Sequence, residues 1–385
     1  MIKNRYAGLI LALLVVFIIG CSTTTPVAAP LESYIAKGTN SGPYWPTKGW
    51  KSCDPEAVGM DSQRLALAME YAATPEFNTE GIAIIKNGYI VAEAYLGEFK
   101  PDSQHISNSM AKSFSSALIG IAIDKGLISG VDEKLCRYYE TWDCDNPDDL
   151  RSRITLRHAM TLTTGLEWHE DWSTWDLKTN DALKMAVSGQ FMEYVSSRAG
   201  LHEPGSQFLY STGDPMLLSK VIQDATGMTV FEFAKQQLFE PLNMGEIVWA
   251  KDEDGYTATS HGMYATLRDY AKFGFLFLNK GRWEDRQIVS EKWVAQSTQT
   301  DPSVNMWKAY GYLWHVNLPF RLKGKDGATD TDAIPADGYM AEGVQGQHII
   351  IIPSKHLVIV KLANEKKTKI DLAKLITLVI NADKG

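Results

Sequence analysis

Ser109-Met110-Ala111-Lys112 sets a hydroxyl and an amine three residues apart, in the one S-x-x-K of the chain. If the serine opens a helix, positions i and i+3 share a face and the amine reaches the hydroxyl. A helix N-terminus favours developing negative charge. Burial and nearby positive potential lower a lysine pKa, and a neutral amine can accept the serine proton. That chemistry is nucleophilic acyl transfer. The flanks fit it: Ser107 and Asn108 suit a cap, and an apolar helix runs from Met110 to Lys125 and stops at Gly126. Taken alone, the motif is better read as a surface lysine one turn after a cap; the surrounding segments change that.

Other chemistries lack their residues. There is no HExxH, CxxC, GxxxxGK or GxGxxG, so zinc-peptidase, dithiol, P-loop and dinucleotide readings have no support, and no metal or cofactor is expected. The absence of G-x-S-x-G weakens an α/β-hydrolase reading. The formal net charge is −8 with no long basic run, which argues against a nucleic-acid partner. Four cysteines in 385 residues exclude a disulfide scaffold. Cys136 and Cys144 are near neighbours; a local disulfide and a set of buried free thiols are both open.

The chain has the elements to position such a serine. Hydrophobic residues make up 45%, enough for a large core. Gly81–Phe99 reads as a hairpin turning at Asn87-Gly88. Residues 130–285 are mostly helical in pattern, with helices expected over Pro215–Thr226 and Val230–Phe239. Gln347–Pro353 and His356–Ala363 form a second hairpin, and Lys366–Ala382 a closing amphipathic helix. Early and late strands then share one antiparallel sheet. The expected fold is α+β, an antiparallel sheet flanked by helices (residues 51–129 and 286–385) with a mostly helical domain (130–285) inserted in it.

The N-terminus reads as an address. Lys3 and Arg5 precede a 14-residue apolar run, too short to span a bilayer comfortably, which ends in Ile18-Ile19-Gly20-Cys21. This resembles a bacterial lipobox and implies cleavage of residues 1–20 and lipidation of Cys21. A lipid anchor at the periplasmic face of the outer membrane is the expected location. Residues 21–50 read as a Pro/Thr/Ala/Gly/Ser-rich tether.

Five ordered segments carry a wider resemblance. They are His105–Ser113 around the serine, Ile154–Leu166, Pro204–Asp214, His261–Asp269, and Ala341–Gln347 before an apolar strand. Together they resemble the serine β-lactamase and penicillin-binding-protein superfamily, in its class C-like branch of esterases and aminohexanoate-oligomer hydrolases. The resemblance runs from about Asp54 to Ala363 and implies a β-lactamase/transpeptidase-like fold. It implies that Ser109 is the nucleophile, Lys112 its base and Tyr210 a proton relay. The oxyanion hole would be the N–H groups of Ser109 and Val344, with Gly343 admitting substrate. Trp172 and Trp175, in a loop with three tryptophans, would wall an acyl chain.

Two departures shape the expected substrate. Tyr210-Ser211-Thr212 stands where β-lactamases have Tyr-x-Asn, and Ala341-Glu342-Gly343 where they have Lys-Thr-Gly. A cation for a β-lactam carboxylate is missing. The expectation is a serine hydrolase acting on a small ester or amide in the cell envelope, on a neutral or basic substrate. β-Lactamase or D-alanyl carboxypeptidase activity, or a catalytically silent binding protein of the same fold, are the alternatives. Acylation is expected to rise toward mildly alkaline pH with Lys112 and Tyr210 titrating as a pair, not with a histidine.

Overall fold

A computed structural model describes residues 31–385 except 174, 324–329 and 367. The signal segment, Cys21 and the start of the tether lie outside the described residues.

Five strands build the main sheet: β1 (Thr79–Lys86), β2 (Tyr89–Tyr95), β3 (Tyr339–Gly343), β4 (Gln347–Ile352) and β5 (Leu357–Ala363). Their order is β2-β1-β5-β4-β3, antiparallel throughout. Early and late strands therefore pair, as their patterns predict. Asn87 and Gly88 both have positive φ, 52° and 86°, as a type I′ turn requires.

The strands read as continuous apolar runs because both faces are covered. On one face Ile82, Ile84, Ile350 and Ile359 pack with α1 (Ser62–Ala72) and α6 (Leu372–Asn381). On the other, Ala83, Ile85, Ile349, Val358 and Val360 join a larger core with α2 (Ala111–Asp124), α3 (Leu217–Thr226) and α4 (Leu267–Leu278). α4, inside the segment 130–285, lies directly on β4 and β5: a Cβ on Gly274 would stand 2.7 Å from Val358 and 2.8 Å from Ile349.

Several boundaries differ from expectation for local reasons. α6 begins at Leu372, not Lys366, because the Asp371 carboxylate accepts the Lys374 N–H and caps it. Val230–Phe239 is split, with α-helical turns to Ala234 and wider turns beyond. The tether reading fails for residues 35–50: Ala36 N–H bonds Val91 O, Tyr44 packs on Tyr89, and Trp45 packs on Phe275 and Trp283. Aromatic anchors outweigh the polar composition around them. Cys136 and Cys144 form a disulfide, with Cα atoms 5.4 Å apart, and Cys53 is a buried free thiol.

Candidate active site

α2 is buried along nearly its whole length, from Ala111 to Ala122. A tight turn, Asn108–Met110, feeds it, and Asn108 sits in the left-handed region at φ 45°. The expected cap is replaced by a different arrangement. No side chain caps the helix; Ser107 is bonded to Met263 through both backbone and Oγ, and Asn108 Nδ2 donates to Val344 O at 2.8 Å. The segment before the serine is thus fastened to Met263 on one side and to the end of β3 on the other.

The S-x-x-K geometry follows. Lys112 Nζ lies 2.9 Å from Ser109 Oγ and 3.2 Å from Ser260 O. Lys112 is 1% exposed and, among the described residues, has no carboxylate in ion-pair contact. Burial pulls its pKa down to about 8, against the pull of Glu170 and Asp214. Ser109 itself remains partly exposed.

Tyr210 comes to the same place from a loop. Its ring centroid is 5.2 Å from Lys112 Nζ, and its hydroxyl interacts with the Ser109 side chain. The loop is held by Leu209 N–H on Leu162 O and Gly205 N–H on Thr163 O. These acceptors follow the helix Leu156–Thr161, which explains why the 154–166 segment travels with the tyrosine segment. Burial and the Glu170 charge raise the Tyr210 pKa. The two groups are therefore pushed apart instead of titrating as a pair: near neutral pH the tyrosine keeps its proton, and the lysine is the group made easier to neutralise.

Three more polar groups close the site, and reading the sequence missed their roles. Glu170 accepts from Trp168 Nε1 (2.8 Å), Trp172 Nε1 (2.6 Å), Thr212 N (2.7 Å) and Thr212 Oγ1 (2.8 Å). It ties the tryptophan loop to the segment just after Tyr210, and the W-x-E-x-W spacing was the available signal. It also commits Thr212, the residue in the Asn place. Trp172 packs edge-on against Trp175, 4.9 Å between centroids, and Trp175 is half exposed. Asp214, fully buried, accepts from Thr164 Oγ1 at 2.9 Å; burial raises its pKa to about 7. Ser260 O, on the segment that precedes Met263, receives the lysine.

The end of β3 forms the other wall. A Cβ on Gly343 would stand 2.3 Å from Ser107 O, so only glycine allows this approach. Val344 is fixed beside the nucleophile turn by Asn108. The turn after it is held from behind by Glu365 N–H on Gln345 O and Gln347 Nε2 on Ala363 O. Among the described residues, His315 makes a backbone bridge to the edge of β3 at Met340. Among the described residues, no cluster of His, Cys, Asp and Glu could hold a metal ion.

The family model "Beta-lactamase" matches residues 71–383. The chain belongs to the β-lactamase family. It is similar to the 6-aminohexanoate-dimer hydrolase of Paenarthrobacter ureafaciens, 21% identical over 309 residues that cover 74% of this chain and 72% of that one. The solved structure of EstCE1, "a hydrolase with promiscuous acyltransferase activity", superposes with a TM-score of 0.60 at 16% identity, covering 84% of this chain and 99% of that one. The octameric penicillin-binding protein homologue from Pyrococcus abyssi gives 0.59 at 17% identity, over 83% and 76%. These structures share the fold, an antiparallel sheet with helices on both faces, and the family is one of serine hydrolases.

Proposed function

We propose that this chain is an acyl-enzyme serine hydrolase acting on a small ester or amide. The observation that carries the reading is Lys112 Nζ at 2.9 Å from Ser109 Oγ, buried and without a carboxylate partner. Neutral Lys112 takes the Ser109 proton as Oγ attacks the carbonyl carbon. The N–H groups of Ser109 and Val344 stabilise the oxyanion, a contribution of about 2.7–4 kcal/mol per donor in comparable sites. The intermediate collapses, and the leaving alkoxide or amine takes a proton relayed through Tyr210. Water, deprotonated by the same pair, then hydrolyses the acyl-Ser109 ester. The likeness to the 6-aminohexanoate-dimer hydrolase supports a small amide or ester as substrate.

The test is mass spectrometry of Ser109 after exposure to a fluorophosphonate and to ester, amide and β-lactam panels. A Ser109 adduct with turnover of esters or amides is expected. Fast nitrocefin hydrolysis would favour a β-lactamase, and no adduct with any class would favour a silent binding protein.

We also propose a lipid anchor on Cys21 at the cell envelope, on the strength of Ile18-Ile19-Gly20-Cys21. Metabolic labelling with an alkyne fatty acid should mark the full chain and not Cys21→Ser.

A further inference from the structure

Glu342 occupies the second place of the Ala341-Glu342-Gly343 triplet, next to the glycine that touches the nucleophile turn. It lies on the opposite face of β3 from Ala341, on the side of Met340, and pairs in register with His348 of β4. The neighbouring segment pairs with β3 at His315–Met340 and then departs into α5 (Leu318–Leu322). α5 returns Arg321 to the rim. Arg321 Nη2 meets Glu342 Oε2 at 2.9 Å, its Nε lies 3.4 Å from His315 Nδ1, and its guanidinium sits 5.2 Å over the Trp307 ring. His315 Nε2 is 3.5 Å from the same Glu342 oxygen. Both charged side chains stay about a quarter exposed, 28% and 26%.

The cluster adjoins the nucleophile turn, since Glu342 immediately precedes Gly343, where a Cβ would stand 2.3 Å from Ser107 O. Tyr210 feels Glu342 and Arg321 with opposite signs, and His315 feels Lys112. The charges that border it can be counted. Burial holds His315 and His348 down to about 4, so both are neutral near pH 7. Burial alone would raise the Glu342 carboxyl, but His315, Arg321 and His348 bring it down to about 2. Behind His348, Lys361 and Glu365 cancel each other at 2.7 Å. Among the described residues in contact with the cluster, one anion and one cation remain, paired with each other.

We infer that Glu342 and Arg321 form a charge-cancelled rim that selects uncharged substrates for the Ser109 site and rejects carboxylates. The cation absent from the third motif is supplied from α5, but it is already occupied. A substrate carboxylate reaching Arg321 also meets Glu342, a like charge at short range in a partly desolvated site. A cationic group meets Arg321 in the same way. This narrows the expected neutral or basic substrate to a neutral one, and it names the substrate class of the acyl-enzyme reading, on which it rests.

The experiment compares kcat/KM for matched aryl esters that are neutral, carboxylated or trimethylammonium-bearing. The charge is on the acyl chain in one series and on the aryl ring in the other. The readout is the charged-to-neutral ratio, which cancels any general loss of activity. Glu342→Gln frees Arg321 and should raise the carboxylate ratio about 10-fold or more in at least one series. Arg321→Gln frees Glu342 and should lower that ratio and raise the ammonium ratio by a similar factor. These factors correspond to one partly screened charge contact. The double variant, again uncharged at the rim, should return near the wild-type ratios. Ratios that move less than about 2-fold in both single variants, with neutral esters still turned over and Ser109 still labelled, would overturn the rim and leave the acyl-enzyme reading standing. Absence of any Ser109 adduct in the parent protein would overturn both.

Discussion

Lys112 and Lys361 are both buried lysines, 1% and 0% exposed, on opposite faces of one sheet. Lys361 has Glu365 at 2.7 Å and a longer contact with Gly346 O. Lys112 has a hydroxyl, a carbonyl and an aromatic ring, with the nearest acidic groups felt only through space. Burial lowers both pKa values, and Glu365 restrains the fall at Lys361. The difference is what a partner does. A carboxylate in contact keeps an amine charged and makes it a strut, here bracing the turn after Val344. Withholding the carboxylate leaves an amine that can give up its proton, which is what a base requires.

The largest effect should come from removing the unpaired lysine or its target. Ser109→Ala should abolish covalent labelling, and Lys112→Met should slow acylation about 10³-fold, in the range of a lost general base, measured by stopped-flow with an activated ester. The same Lys112→Met should stabilise the fold at pH 7. A lysine depressed to about 8 is less protonated folded than unfolded between about 8 and ~10.4, so stability rises with pH across that window. Its full cost is therefore present below about 8. Urea melts showing Lys112→Met no more stable than the parent at pH 7 would break the contrast.

Lys361 should behave in the opposite way. Lys361→Met leaves Glu365 buried and unpaired and should cost about 3–5 kcal/mol, while Lys361→Met with Glu365→Leu recovers most of it. The pH profile should be a smaller, sharper discriminator. The acylation rate in the parent should rise through about pH 8, where Lys112 loses its proton. Replacing His158 or His261, each already held down to about 4 chiefly by burial, should leave that limb in place. Replacing His169, whose backbone rather than ring is bonded to Asp181, should do the same.

The smallest effect concerns Glu170. Its charge holds the Lys112 pKa up, so Glu170→Gln should move the limb to lower pH by less than about one unit. A shift to higher pH would mean that the tether to Thr212 matters more than the field.

Much of this was legible because it is local. The continuous apolar strand runs, the Asn87-Gly88 turn and the i, i+3 spacing of Ser109 and Lys112 each depend on a few neighbouring residues. What was not legible depends on long closures. Nothing in Trp45 or Trp50 announces that they pack on α4, which follows more than 200 residues later. Glu170 gains meaning only when Thr212 arrives beside it. Arg321 reads as an ordinary surface cation until β3 brings Glu342 to 2.9 Å. The reading of Asn108 as a cap failed for the same reason, since its amide is spent on Val344, 236 residues away.

The contact between Gly343 and the Ser107 carbonyl also sets a rule for anyone redesigning this pocket. A methyl there would stand 2.3 Å from a backbone oxygen that cannot swing aside. A library across the third motif should therefore place its diversity at 342, keep 341 small because Ala341 is buried in the core, and hold 343 fixed. Diversity spent on 343 would return misfolded or widened clefts instead of new specificities.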